Sequence, residues 1–431
     1  MAKNDPKTLI IKRPAEGGCA GGLWALRFVH SPDAALVGKE LSLTEPLVFG
    51  RVKAGPSAPN WKPIADRRVS GEHVEFRPIV GGRLQLIDLE SSNGTFVNGA
   101  RAQTAELVEG DVVKIGSTLG VVTCRADGGK VPAWWADRVP GWVPSASYRA
   151  MLRVIEGLDK TKPVVAVGEV GCGKKALLRL IAYSRFEWGQ TKIAMVDAAT
   201  VDSRMLAAVL SGLTDEVLIL EGLERLTAEA QRVWVKALSD KKGRPMGSMG
   251  GLFATTYTPL EQCGLDPLLV QGLKPTAIVV PPLRQRREEI LSLAQTLLPH
   301  AIAGMDAPTA DDRALVDLSG AEALLLHDWP DNVRGLERCI GGLANRQQRP
   351  FTGAAVREEL GLTTRITAGS RKKTGPPPRP MVSDKLRPRP SRAGLKAAIA
   401  AHGHDLEAAA RALSVDKAQI MRWLKDDEDV G

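Results

Sequence analysis

Aromatic side chains are scarce in this chain, 4% of its 431 residues. Apolar runs such as Ile278–Val280, which stops at Pro281, fall far short of the ~20 residues that a membrane-spanning helix needs. Met1–Pro14 is polar and basic and lacks the apolar stretch of a signal peptide, so the expected location is cytoplasmic, with no membrane partner. The five cysteines (Cys19, Cys124, Cys172, Cys263, Cys339) are scattered and show neither a CxxC pair nor Cys/His metal spacing. Reduced thiols and no structural metal are expected. No repeat occurs at a solenoid period.

A hydrophobic fraction of 44% supports packed cores, and the length calls for roughly two to four domains. Net charge is +9, most of it in one place: Thr364–Arg392 carries nine Lys/Arg against one Asp, a net +8. Such a segment suits a polyanion such as DNA, whose binding is driven partly by counterion release. A merely solubilising linker is the alternative reading.

The pattern implies a multidomain chain. Within residues 1–125, short alternating runs (Leu41–Val48, His73–Pro78, Arg83–Leu89, Val112–Ile115) are separated by Gly, Asn, Ser and Pro, which predicts an all-β sandwich. Residues 126–142 read as a connection. Residues 143–362 alternate apolar strands (Pro163–Val167, Lys192–Val196, Glu216–Leu220, Leu252–Thr255, Ala277–Val280) with helical patterns, as a parallel α/β sheet requires. Arg287–Leu298, Thr309–Gly320 and Asn332–Asn345 follow as an α-helical lid. Residues 363–392, with Pro376, Pro377, Pro378, Pro380, Pro388 and Pro390, form a basic linker, and residues 393–431 return to short helices.

Three pieces of the sandwich carry chemistry: Gly50-Arg51, Ser70-Gly71-Glu72-His73, and the run Ser91-Ser92-Asn93-Gly94-Thr95-Phe96-Val97-Asn98-Gly99. A phosphate needs a charge-assisted donor fork plus hydroxyl and amide donors held on loops at one end of a scaffold. In order and spacing these pieces resemble the forkhead-associated (FHA) family. The resemblance implies that Arg51 and Ser70 grip a phosphothreonine, Ser92 adds a hydroxyl and Asn93 holds the peptide backbone, while Gly50 and His73 support the loops. Gly71 departs from the family by offering no side chain. The Asn-Gly pairs taken alone would mark hairpin turns.

Gly168-Glu169-Val170-Gly171-Cys172-Gly173-Lys174-Lys175 follows an apolar strand and opens a helix, the setting of a phosphate-binding loop. Glycines let backbone amides face phosphate, and Lys174 can reach it. With Pro281-Pro282-Leu283-Arg284-Gln285-Arg286 and His327-Asp328-Trp329-Pro330-Asp331-Asn332-Val333-Arg334, this region resembles the AAA+ domain of sigma-54-dependent activators. The resemblance makes Gly168, Gly171, Gly173, Lys174, Lys175 and Arg334 nucleotide-binding and ATP or ADP the cofactor; Mg²⁺ is not expected to be held securely, although a residue without a hydroxyl after the loop lysine, here Lys175, is usual in that family. Glu221 is the residual acid of the strand that normally ends in Asp-Glu. Gly222, Tyr257, Asp266 and Gly272 replace, in turn, the water-polarising carboxylate, the sensor asparagine and the intersubunit arginines, and the GAFTGA loop is absent. A relic loop that binds nothing is the alternative.

Leu406–Leu413, Ser414-Val415 and Asp416–Lys425 give two short amphipathic helices about a tight turn. They resemble the Fis-type helix-turn-helix, with Ser414 at the family's glycine, and imply DNA contacts through Lys417, Gln419, Arg422 and Lys425. A helical docking module is the alternative. The order of domains implies a phosphorylation-responsive DNA-binding transcriptional regulator. Its expected partners are DNA, a phosphothreonine protein of a Ser/Thr kinase pathway and further copies or relatives in an oligomer, with sigma-54 polymerase not expected. The competing expectations are an active ATP-dependent sigma-54 activator and an FHA adaptor that does not bind DNA.

Overall fold

The computed structural model describes residues 9–11, 23–51, 60–125, 144–185, 192–213, 216–239, 251–301, 315–346 and 349–362. The chain divides into two compact units, Met1–Thr364 and Arg365–Gly431. The basic linker and the helix-turn-helix reading, including Lys417, Gln419, Arg422 and Lys425, lie outside the described residues, as does the connection at 126–142.

Strands from Leu23 to Arg125 enclose a core of Trp24, Leu26, Phe28, Phe49, Phe76, Leu84, Leu86 and Val97. Alternation accounts for the choice of face: Arg83–Asp88 buries Leu84 and Leu86 and turns Arg83 and Gln85 outward. Phe49 meets Phe28 and Phe76 edge to face, with centroids 5.8 and 5.4 Å away, which fixes the centre of the sandwich. Leu23–His30 pairs antiparallel with Thr118–Arg125 and, on its other side, with Glu40–Ser42. The strand expected over Leu41–Val48 is two strands, Glu40–Ser42 and Leu47–Arg51, because the chain bends between them at Glu45-Pro46 and pairs with different partners.

The α/β region has a five-stranded parallel sheet with spatial order Ile193–Asp197, Val217–Glu221, Leu252–Thr256, Val164–Val167, Ala277–Val279. Val164–Val167 and Leu252–Thr256 are buried at every position, as central parallel strands covered on both faces must be. The glycine loop that follows Val167 therefore leaves the sheet from a strand buried on both faces.

Four helices form the lid: Ile290–Ala301, Leu318–Leu326, Asn332–Ala344 and Gly353–Glu359. Of the helix expected over Thr309–Gly320, residues 309–314 lie outside the described residues; within the described ones a helix begins at Leu318, where the Asp317 carboxylate caps it by accepting from the Gly320 amide. Gly353–Glu359, capped by Thr352, was not anticipated.

Sandwich and lid share a core. Val112, Leu119 and Val121 leave the sandwich interior and pack with Leu291, Ala294, Leu298, Leu324 and Leu325. At the rim Lys114 Nζ meets both carboxylate oxygens of Glu322 at 2.8 Å, and Arg287 donates to the Gly110 carbonyl at 3.3 Å. Cys172, Cys263 and Cys339 are free, whereas Cys124 is disulfide-bonded, against the expectation of reduced thiols throughout.

Leu119→Ala removes a fully buried side chain from this shared core. The expected loss is about 2–5 kcal/mol, with the sandwich and the lid destabilised together. Denaturant unfolding followed at Trp24 and at Trp329 checks it; movement of the Trp24 signal alone would show that the two parts are independent.

Candidate functional site: two phosphate-binding loop clusters

At one end of the sandwich the three motif pieces converge. The Arg51 amide donates to the Ser70 carbonyl at 2.7 Å, the Ser92 amide donates to Ser70 Oγ at 3.0 Å, and the two serine hydroxyls lie 3.5 Å apart. Arg51, Ser92 and Asn93 are exposed there and Ser70 is half-buried. Asn93 Nδ2 donates to the Arg68 carbonyl at 2.6 Å, bridging two loops. All four predicted residues are thus brought to one rim.

Beneath them the loops are held by buried groups. His73 is fully buried; its Nδ1 accepts from the Ser70 amide at 3.0 Å, which leaves Nε2 to donate to the Gly94 carbonyl at 3.3 Å. Burial pushes its pKa below the ordinary 6.5, outweighing the Gly94 carbonyl and the carboxylates of Asp88 and Asp66. The neutral ring's contribution to stability is accordingly complete above the unfolded-state pKa near 6.5 and is lost as pH falls towards the folded value. Gly50 is required because a Cβ there would collide with the Gly71 carbonyl. Asp88 was not anticipated: it accepts from the Ser91 hydroxyl and amide and from the Thr95 hydroxyl, at 2.6, 3.0 and 2.6 Å, shaping the loop that carries Ser92 and Asn93. Its signal in the sequence is the Asp-x-x-Ser turn spacing.

The second cluster is the glycine loop. Gly168, Gly171 and Gly173 have φ of +156°, +73° and +101°, and a Cβ on Gly171 would meet the Asp331 carbonyl of the lid. Lys174 Nζ donates to the carbonyls of Gly168 and Glu169 at 2.6 and 2.7 Å and lies 4.5 Å from the centre of the Tyr257 ring. Burial lowers its pKa, against the thiol of Cys172 and the carboxylates of Glu224 and Glu221. Gly171, Gly173, Lys174, Lys175, Glu221, Tyr257 and Arg334 line one cleft between loop and lid. Arg334 reaches it because Asn332, buried at φ +53°, accepts from the Leu283 amide and donates to the Val170 carbonyl and Glu169. Glu169 in turn takes both guanidinium nitrogens of Arg284, which holds its carboxyl below the usual range.

The hydrolytic positions are differently filled. Gly222 sits at φ +75°, where Arg225 bonds the Glu221 carbonyl at 3.2 Å and pairs with Asp197 at 2.9 Å. Asp266 caps the helix Pro267–Leu273 by accepting from the Leu268 amide, and Gly272 lies within that helix. Glu224 was missed by sequence reasoning: both its carboxylate oxygens are buried with no hydrogen-bond partner among the described residues, yet it does not line the cleft. Magnesium does not fit the residues present. Lys175 Nζ stands 3.0 Å from Glu221 Oε2, so an ammonium with no acceptor occupies the side of the one acid from the predicted metal-binding strand.

A family model, the FHA domain, matches residues 47–116, which hold every residue of the first cluster. The glycogen accumulation regulator GarA of Mycolicibacterium smegmatis is 34% identical over 113 residues, 25% of this chain and 68% of that one. The transcriptional regulatory protein y4pA of Sinorhizobium fredii is 26% identical over 239 residues, 49% of this chain and 39% of that protein, so the chain spans about two-fifths of that relative. Among solved structures, NtrX from Brucella abortus in complex with ADP aligns at 19% identity and a TM-score of 0.42, over 65% of this chain and 67% of that one. The sandwich is an FHA domain joined to a P-loop α/β region. The chain belongs to the FHA-domain proteins, and outside that domain it is similar over part of its length to proteins named as transcriptional regulators.

Gly222→Glu tests whether a carboxylate can simply be put back. A side chain there adopts a left-handed backbone and falls onto the Arg225 guanidinium, so a loss of about 1–3 kcal/mol is expected. ATP hydrolysis, followed by phosphate release, should stay at the parent's level; turnover in the variant would contradict this account of the site.

Proposed function

We propose that the chain is a phosphorylation-responsive DNA-binding regulator whose FHA domain reads a phosphothreonine protein of a Ser/Thr kinase pathway and whose central region binds ATP or ADP without efficient hydrolysis. The observation that carries it is the convergence of Arg51, Ser70, Ser92 and Asn93 on one exposed rim. A guanidinium and two hydroxyls there can take up a phosphate dianion, while the bridging Asn93 amide stands beside the path of an extended peptide.

The cleft of Lys174, Lys175 and Arg334 supports phosphate binding in the second cluster through glycine-loop amides and three cations. Support against turnover comes from Gly222, which has no carboxylate to orient water, and from Asp266 and Gly272, which cannot serve as arginine fingers. The continuous helix Ser203–Gly212 leaves no loop for gripping a sigma factor, so occupancy of DNA rather than remodelling of polymerase is the output. DNA binding rests on the sequence of residues 363–431, where the +8 segment precedes the two short helices. Residues 1–125 form the reader, 143–362 the nucleotide-binding region and 393–431 the DNA-binding end.

The full chain should bind a degenerate phosphothreonine peptide pool and ignore its unphosphorylated counterpart. Arg51→Ala should cost about 1.5–3 kcal/mol of that affinity. In the same preparation Arg422→Ala should weaken selected DNA sites by about 1–3 kcal/mol, whereas neutralising Arg387 and Arg389 should weaken all DNA and reduce the salt slope by about 2. Equal binding of the two peptide pools would remove the reader, and an unchanged salt slope would remove the basic segment from the interface.

A further inference from the structure

The pairing of Lys175 with Glu221 has no structural purpose that its geometry supports. Their side chains are 37% and 24% exposed, and half-solvated ion pairs of this kind contribute little to folding. Both line the same cleft as Lys174 and Arg334, so three cations face it with Glu221 and Glu337 as the only acids of its lining. A divalent ion bound beside a phosphate does two things: it neutralises phosphate charge and it bridges phosphate to a protein oxygen. Lys175 can do both. Its ammonium already donates to Glu221 Oε2 at 3.0 Å, and its two remaining protons are free for phosphate oxygens.

We propose that Lys175 is a built-in replacement for the divalent cation, so that this site takes up a nucleoside di- or triphosphate as the free, metal-less anion. The inference rests on the nucleotide-binding reading given above and deepens it. The physical reasons are two. A metal ion placed between Glu221 and the phosphates would have to displace an ammonium from its carboxylate and then sit beside that positive charge, a repulsion that the half-exposed setting weakens but does not remove. The carboxylate it displaced would be its main protein ligand, since Lys175 offers no oxygen. The amides of the glycine loop need no metal to meet phosphate, and Lys174 would meet it by releasing the carbonyls of Gly168 and Glu169.

The test is titration calorimetry of the full chain with ADP, once in buffer with excess magnesium and once with EDTA. Affinities within about twofold of each other, or tighter in EDTA, are expected, because a tenfold preference for magnesium would correspond to ~1.4 kcal/mol of metal-mediated binding. Lys175→Thr frees Glu221 and introduces a hydroxyl, and should make binding at least about tenfold tighter with magnesium than with EDTA. Lys175→Arg keeps the charge and should remain indifferent to metal. Parent binding that requires magnesium would overturn the inference while leaving nucleotide binding intact. Absence of ADP binding in both buffers would overturn both. A Lys175→Thr variant still indifferent to magnesium would show that Lys175 is not the replacement.

Discussion

Asn332 is the constraint on which the second site depends. It is fully buried in a left-handed conformation that few residues other than glycine and asparagine accept, and its amide is spent entirely on backbone and one carboxylate. Through it the segment after the last sheet strand, the glycine loop and the helix Asn332–Ala344 become one arrangement. Val333 continues the join by donating to the Gly171 carbonyl at 3.0 Å, and Arg286 donates to the Cys172 carbonyl at 3.1 Å from a buried position. Glycine at 171 then follows as a necessity, because the lid backbone passes where a side chain would stand. A loop so held keeps Arg334 on the cleft whatever the cleft contains.

The sandwich is tied to this arrangement through the lid. Thr118–Arg125 is buried on both faces, one inside the FHA core and the other against the helices that follow the sheet. The face that meets the lid is distinct from the loop rim bearing Arg51 and Ser92. A phosphopeptide bound there as proposed would not need to disturb the shared core.

The parts legible in the sequence were those whose chemistry is local. Gly50-Arg51, Ser70 and the run through Asn93 announce themselves because glycine, hydroxyl and amide residues cluster at turns, and the glycine loop because a strand precedes it. The parallel strands were placed within a residue or two by their continuous apolar runs. Long-range pairings were not legible: nothing at Lys175 points to Glu221, 46 residues away, nor at Glu169 to Arg284, 115 residues away. The start of Leu318–Leu326 has a local cue in the capping Asp317. Val121 and Val122, adjacent on one strand and buried in different cores, show apolar residues on both of its sides, a pattern of two-sided burial that gives no hint of the partner.

The proposed mode of action is occupancy of DNA, with a nucleotide site that does not drive a remodelling cycle. An open-complex assay tests it most directly, using the full chain, purified sigma-54 holoenzyme, a promoter it binds and ATP, beside a competent activator. The account predicts promoter binding that persists in nucleotide-free buffer and no ATP-dependent opening. Opening of the promoter by this chain alone, dependent on ATP, would contradict it.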